Sequence, residues 1–144
     1  LRTSTLIPSL TRKVSEATES VEIWGTGTAG RDIIHARDVA RAAMFAVENK
    51  ISEPLNVGQG KTFTIKEVIQ TLVKVSGKDL EITHDLTKPT GDQFRVPVTD
   101  RLNGYGFFPS VSLEDGLKET YDWYNENGPT VGRFNPYHVG ENND

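Results

Sequence analysis

With 144 residues, 16 Lys plus Arg against 20 Asp plus Glu and a formal charge of -4, the chain fits one domain large enough to bury a core, and it carries no basic field to recruit nucleic acid or an anionic membrane. It has no cysteine, which excludes disulfides and thiolate nucleophiles or metal ligands and agrees with a cytoplasmic protein, and His35, His84 and His138 lack metal-ligand spacing. No apolar run approaches the roughly 18 residues of a membrane span, and the opening Leu1-Arg2-Thr3-Ser4 does not read as a signal peptide.

In chain order, Leu6, Leu10, Val14 and Ala17 recur at helical spacing, predicting a helix over residues 6–18 with Pro8 tolerated in its first turn and Arg12 and Lys13 near its middle. A strand at Val21-Glu22-Ile23-Trp24 then meets Gly25-Thr26-Gly27-Thr28-Ala29-Gly30, which spells G-x-G-x-x-G. As a dinucleotide-binding turn the motif should open a helix, with an acidic residue about 20 positions further on. Here it runs into Arg31-Asp32-Ile33-Ile34, whose apolar pair favours a strand, and the later position falls among Asn49, Lys50 and Ile51. A glycine-rich connection between two strands is the better reading.

Trp24 before that loop and Arg31 after it suit a nucleoside diphosphate, because the ring offers a stacking face and the planar guanidinium forks onto phosphate oxygens. The plain alternative is a core tryptophan and a solvated arginine paired to Asp32 or Asp38.

A helix opening at Asp38 and running to about Asn49 shows the stripe Val39, Ala42, Ala43, Ala46 and Val47. His35, among apolar neighbours, reads as a hydrogen-bonded core residue rather than a catalyst. Pro54-Leu55-Asn56-Val57 reads as a short buried strand. Thr64 with Glu67 forms a capping-box pattern ahead of the stripe Ile65, Val68, Ile69, Leu72 and Val73, and Gly77 fits the C-terminal cap. Residues 80–84 alternate as a half-exposed strand, residues 87–93 form a polar loop, and Asp100-Arg101-Leu102 begins a short helical turn. Phe107 and Phe108 are expected as core plugs. Ser112 caps a last helix with Glu114 and Asp115 in its first turn and Leu113, Leu117, Tyr121 and Tyr124 on its core face. The final stretch, residues 128–144, is irregular and is expected to be mobile unless Phe134 and Tyr137 dock.

The string Trp24-Gly25-Thr26-Gly27-x-x-x-Arg31-Asp32-Ile33-Ile34-His35-x-x-Asp38-Val39-Ala40 resembles the W-G-x-G-x-x-x-R-[DE]-[FI]-[IL]-H-x-x-D-[LV]-A signature of the extended short-chain dehydrogenases that act on nucleotide sugars. The GDP-L-fucose synthases, which are epimerase-reductases, are the nearest branch. The likeness continues through Ile7-Pro8-Ser9-Leu10-Thr11-Arg12-Lys13, Leu55-Asn56-Val57-Gly58, Thr64-Ile65-Lys66-Glu67, Lys88-Pro89, Ser112-Leu113-Glu114-Asp115-Gly116-Leu117 and Trp123, collinear to about Asn127. One departure is His35-Ala36-Arg37-Asp38, which places Arg37 where that family customarily has an acid.

The resemblance implies a nucleotide-sugar site in which Leu10 gives an apolar contact, Lys13 reaches the phosphates, Trp24 and Arg31 serve the nucleotide, and Arg95, with Lys88 as second candidate, closes over the diphosphate. Such enzymes also carry an NADP-binding turn and a Tyr-x-x-x-Lys catalytic set. Neither occurs here: four positions after Tyr105, Tyr121, Tyr124 and Tyr137 stand Pro109, Asn125, Gly128 and Glu141. The chain therefore resembles the sugar-nucleotide-binding C-terminal half of such an enzyme. It holds no catalytic, cofactor or metal residue of its own, NADP is expected in the other half, and this chain alone is expected to be inactive.

The expected fold is a single α/β domain, about four helices on a small mixed sheet, with residues 1–127 as the binding lobe. Its expected partners are a nucleoside diphosphate-sugar and either a separate NADP-binding half or a second copy meeting the lobe's exposed surface. The other readings are a stand-alone, non-catalytic nucleotide-binding or interaction module derived from the same lobe, and a remnant with an unused pocket.

Overall fold

The computed structural model describes residues 5–88 and 93–128; residues 89–92 of the expected 87–93 loop, with Pro89, and the stretch from 129 onward, with Phe134 and Tyr137, lie outside the described residues. The elements run α1 (Leu6–Glu16), β1 (Ser20–Trp24), β2 (Gly30–Arg31), α2 (Ala36–Glu48), β3 (Phe63–Thr64), α3 (Ile65–Ser76), β4 (Glu81–Asp85), β5 (Phe94–Arg95), α4 (Asp100–Gly104) and α5 (Leu113–Asn127). The α/β class holds, and the helix beyond the expected four is α4, the short turn expected to begin at Asp100.

Two small sheets form. In the first, β1 lies parallel to β4, with Val21 opposite Ile82 and Trp24 opposite Asp85. In the second, β2 is the central strand, antiparallel to β3 and parallel to β5. A parallel pair needs a crossover, and between β1 and β4 the crossover includes α3, whose face of Val68, Ile69 and Leu72 is fully buried. These residues meet Leu10 and Val14 of α1, Val21 and Ile23 of β1, and Leu117 and Tyr121 of α5 in the main core.

Local chemistry sets the helix ends. Thr64 Oγ1 accepts from the Glu67 N–H at 3.1 Å while the Glu67 carboxylate accepts from the Thr64 N–H at 2.7 Å, closing the capping box, and Gly77 ends α3 in the left-handed conformation. Ser112 Oγ accepts from the Asp115 N–H at 3.0 Å to start α5. The end of α1 is held from outside: the Lys78 ammonium donates to the carbonyls of Val14, Ser15 and Ala17 at 3.0, 2.6 and 2.9 Å.

Several expectations need correction. Strand pairing ends at Arg31, so Ile33 and Ile34 lie in a connection: the Asp32 carboxylate turns away to accept from the Gln59 and Gly60 N–H groups at 2.9 and 2.7 Å. Helix α2 starts at Ala36, because His35 caps it by accepting from the Arg37 N–H at 3.3 Å. Asp38 sits inside the first turn, fully buried. On the α2 stripe only Ala42 is buried; Val39 and Val47 are exposed, Val47 at 78%, and Met44 beside them at 62%. Residues 54–57 form no strand; Leu55 and Val57 instead pack on a second cluster of Ala42, Leu102 and Phe107. Of the two phenylalanines only Phe107 plugs a core, its ring 5.5 Å from that of Phe45, whereas Phe108 is 60% exposed.

Candidate nucleotide site

Strand β1 alternates, with Val21 and Ile23 buried and Ser20, Glu22 and Trp24 on the open side, so Trp24 ends the strand 56% exposed. The period of two that buries Ile23 must turn its neighbour outward. The core reading of Trp24 is thereby overturned.

Three charged groups gather at this end of the first sheet. Lys13, one turn before the end of α1, donates from Nζ to the Glu22 carbonyl at 2.8 Å, reaching the strand two residues before Trp24. Asp85 pairs with Trp24 in the ladder, and its carbonyl accepts from the Gly25 N–H at 2.8 Å. Its carboxylate accepts from the Thr87 hydroxyl at 2.6 Å and the Thr87 N–H at 3.0 Å, and these bonds, with the ammonium groups of Lys88 and Lys13 adding to them, hold the carboxyl below its ordinary range. Lys88 Nζ lies 6.0 Å from the centroid of the Trp24 ring.

The loop from Gly25 to Gly30 carries the chain from Trp24 to β2. His84 fixes its start through a hydrogen bond between Nδ1 and the Gly25 carbonyl at 3.0 Å. Its later part is sewn to the start of α3, with the Lys66 N–H donating to the Gly27 carbonyl at 2.9 Å and the Ile65 N–H to the Ala29 carbonyl at 3.0 Å. Gly27 has φ +75°, and a Cβ there would stand 2.9 Å from Ile23 Cδ1; at Gly30 a Cβ would collide with Thr62 and lie 2.8 Å from the Phe94 ring. The glycines thus serve close packing. The loop ends in a strand and not at a helix N-terminus, so these residues do not fit the pyrophosphate of a dinucleotide cofactor.

Beyond the loop, Arg31 stands on β2 with Phe63 of β3 on one side and Arg95 of β5 on the other. Residues in register on neighbouring strands project to the same face, so two guanidinium groups share one side of the second sheet. Arg31 is half-buried and donates from NH1 to the Gly30 carbonyl at 2.7 Å, while Arg95 is exposed.

The structure therefore brings Lys13 and Trp24 to one sheet end and Arg31 and Arg95 to one face of the other, joined by the glycine loop. Leu10 lies elsewhere in character, 5% exposed and committed to the main core. Arg12 pairs with Glu16 at 3.5 Å. His35 caps α2 and lies 3.9 Å from Glu119, a structural placement. Among the described residues no group of three or more His, Cys, Asp or Glu side chains could hold a metal ion, and no helix is long and apolar enough to cross a membrane.

Sequence reasoning missed His84, Asp85 and Thr87 as supports of the loop, and Asp32 and Asp38 as anchors. Each acts on a backbone group distant in sequence except Thr87, and no periodicity encodes such a pairing. Asp38 Oδ2 accepts from the Ser110 and Val111 N–H groups at 3.0 and 2.9 Å, and Oδ1 from Arg41 at 2.5 Å. Burial alone would raise its pKa, but the N–H of Val111, the Arg41 guanidinium and Ser110 outweigh that and hold it below the ordinary carboxylate value.

Residues 1–58 match the NAD dependent epimerase/dehydratase family. Over 129 residues the chain is 36% identical to GDP-L-fucose synthase 1 of Arabidopsis thaliana, covering 86% of this chain and 40% of that protein. Over 138 residues it is 35% identical to the GDP-L-fucose synthase of Escherichia coli strain K12, covering 86% and 43%. Among solved structures it is similar to a GDP-mannoheptose C4 reductase from Campylobacter jejuni with NADP bound, with a TM-score of 0.72, 27% identity, and coverage of 86% of this chain and 46% of that one. The chain thus spans less than half the length of these relatives.

Proposed function

The chain belongs to the NAD dependent epimerase/dehydratase family, and from that premise we propose that it is the nucleotide-sugar-binding portion of a GDP-L-fucose synthase-like epimerase-reductase. The observation that carries the reading is the in-register pair Arg31 and Arg95, which the glycine loop joins to the exposed ring of Trp24 at the end of β1. Like charges directly across a ladder repel. An anion bridging them converts that repulsion into two charge-assisted pairs, and guanidinium forks match diphosphate oxygens.

In this reading the nucleoside ring stacks on Trp24, Lys13 and the two arginines hold the diphosphate, and Leu10 supports the pocket from the core. Binding energy spent on the nucleotide, remote from the reacting carbons, places the hexose for reaction, so this chain's contribution is positioning. Hydride transfer and acid-base chemistry belong to an NADP-binding part with a Tyr-x-x-x-Lys set, the part of the relatives' length that this chain does not span. The apolar face of α2 with Val39, Met44 and Val47 is the surface we assign to that part, because a patch of this kind on a folded domain marks an interface.

Calorimetric titration of the chain with GDP, UDP, dTDP and NADPH tests the proposal. Saturable binding of one nucleoside diphosphate, lost in Arg31→Ala and absent for NADPH, is the expected result. Absence of any nucleotide binding at millimolar concentration overturns the site. Binding by the chain with no dependence on an NADP-bearing partner in any assay of turnover would favour a stand-alone binding module instead.

A further inference from the structure

The open face of the first sheet offers an acceptor that nothing in the fold uses. Ser20, Glu22 and Trp24 project to the same side of β1, away from buried Val21 and Ile23. Glu22 is exposed, and its carboxylate makes no hydrogen bond or ion pair among the described residues; what is held is its main chain, whose carbonyl accepts from the Lys13 ammonium at 2.8 Å. The carboxylate of Asp85, across the ladder from Trp24, is by contrast already taken by the Thr87 hydroxyl and N–H. Glu22 falls between the stretches 7–13 and 24–40 that carry the likeness to the relatives, so that likeness gives it no role.

The chain runs from Glu22 through Trp24 and the glycine loop to Arg31, with Arg95 beside it. A nucleotide whose diphosphate lies at the arginines and whose base lies on Trp24 therefore turns the edge farthest from its ribose back along β1, toward Glu22. Two positions along a strand span about 7 Å, a gap that a base and the glutamate stem close between them. Resting on the nucleotide-site reading above, we propose that Glu22 selects guanine, its two carboxylate oxygens accepting from N1–H and N2–H2 of the base stacked on Trp24. An ionised carboxylate only accepts, and guanine alone presents two adjacent donors on its Watson–Crick edge. Uracil and thymine flank their single N–H with carbonyl oxygens, and adenine and cytosine set a bare ring nitrogen beside the amine, so each of these turns an acceptor toward the carboxylate and is rejected. The Lys13 ammonium at the main chain of the same residue offsets the repulsion between this carboxylate and the diphosphate.

Calorimetric titration of the parent and of Glu22→Leu with GDP, IDP and UDP tests the assignment, because IDP keeps N1–H and lacks the exocyclic amine. The parent is expected to bind GDP about tenfold more tightly than IDP or UDP. In Glu22→Leu, GDP affinity should fall about tenfold, UDP affinity should change by less than about threefold, and the three ligands should bind within about threefold of one another. A preference for GDP that survives Glu22→Leu overturns the proposal, as does a parent that binds UDP as tightly as GDP. An equal loss of all three ligands overturns it too, by assigning Glu22 to the scaffold. In each of these cases the nucleotide site itself stands. If the parent binds no nucleotide, the site reading falls and takes this inference with it.

Discussion

Arg31 of β2 and Arg95 of β5 stand in register on adjacent parallel strands, two like charges on one face of a sheet whose strands are two residues long. Such a short sheet gains little from holding them together. Replacing exposed Arg95 with alanine should therefore weaken GDP binding by about tenfold or more while shifting the unfolding free energy by less than about 0.5 kcal/mol. Chemical denaturation beside calorimetry checks both halves, and a stability loss that accompanies the binding loss would assign Arg95 to the scaffold.

Asp38 offers the opposite case, a buried carboxylate that accepts from two N–H groups of the segment before α5 and from Arg41. Asp38→Asn should cost about 2–3 kcal/mol, since the amide replaces one acceptor by a donor facing N–H groups. Its pKa is lowered on folding, so the unfolded chain binds more protons in the window below about pH 4, the unfolded carboxylate value. Its contribution is complete above that pH and lost as pH falls through the folded value. Urea titrations from pH 6 to 3 should show a steeper acid loss in the parent than in Asp38→Asn; parallel curves would contradict this.

Lys78 closes the end of α1, the helix that carries Lys13, by donating to three carbonyls. Lys78→Met keeps the aliphatic stem and should destabilise the chain by about 1–2 kcal/mol, from lost C-terminal capping. Amide exchange should quicken first in the last turn of α1. Uniform quickening across α3 and α5 would point to a general packing role instead.

Gly30 has no room for a side chain, with Thr62 and the Phe94 ring where a Cβ would stand. Gly30→Ala should cost about 1–3 kcal/mol by overpacking, and because the displaced Phe94 precedes Arg95 it should weaken GDP binding as well. Thermal melts and titration of the same sample measure the two effects; a variant as stable as the parent would mean that β5 yields freely.

The parts legible in the sequence were those specified locally. The Thr64–Glu67 box, the Gly77 cap, the Ser112 cap and the stripes of α1, α3 and α5 each involve residues a few positions apart, and the structure reproduces them. Expectations failed where a distant group decided the outcome. Asp38 reads as a helix start until Ser110 and Val111 claim its carboxylate, and residues 54–57 read as a strand, although no strand pairs with them among the described residues. The stripe of α2 has the period of a buried face, yet Val47 and Met44 are open, because periodicity shows which residues share a face and not what covers it. The outward turn of Trp24 follows from the alternation of β1, but the in-register placement of Arg31 and Arg95 needs the pairing of β2 with β5 across some sixty positions, for which the sequence alone holds no sign.

The most direct measurement is a double-mutant cycle on GDP affinity with Arg31→Ala, Arg95→Ala and the double variant. If both guanidinium groups grip one diphosphate, each single change weakens binding by about tenfold or more, and the double variant loses less than the sum of the two by about 1 kcal/mol, since one remaining arginine holds the anion poorly without the other. Single variants that bind GDP as tightly as the parent would contradict the account.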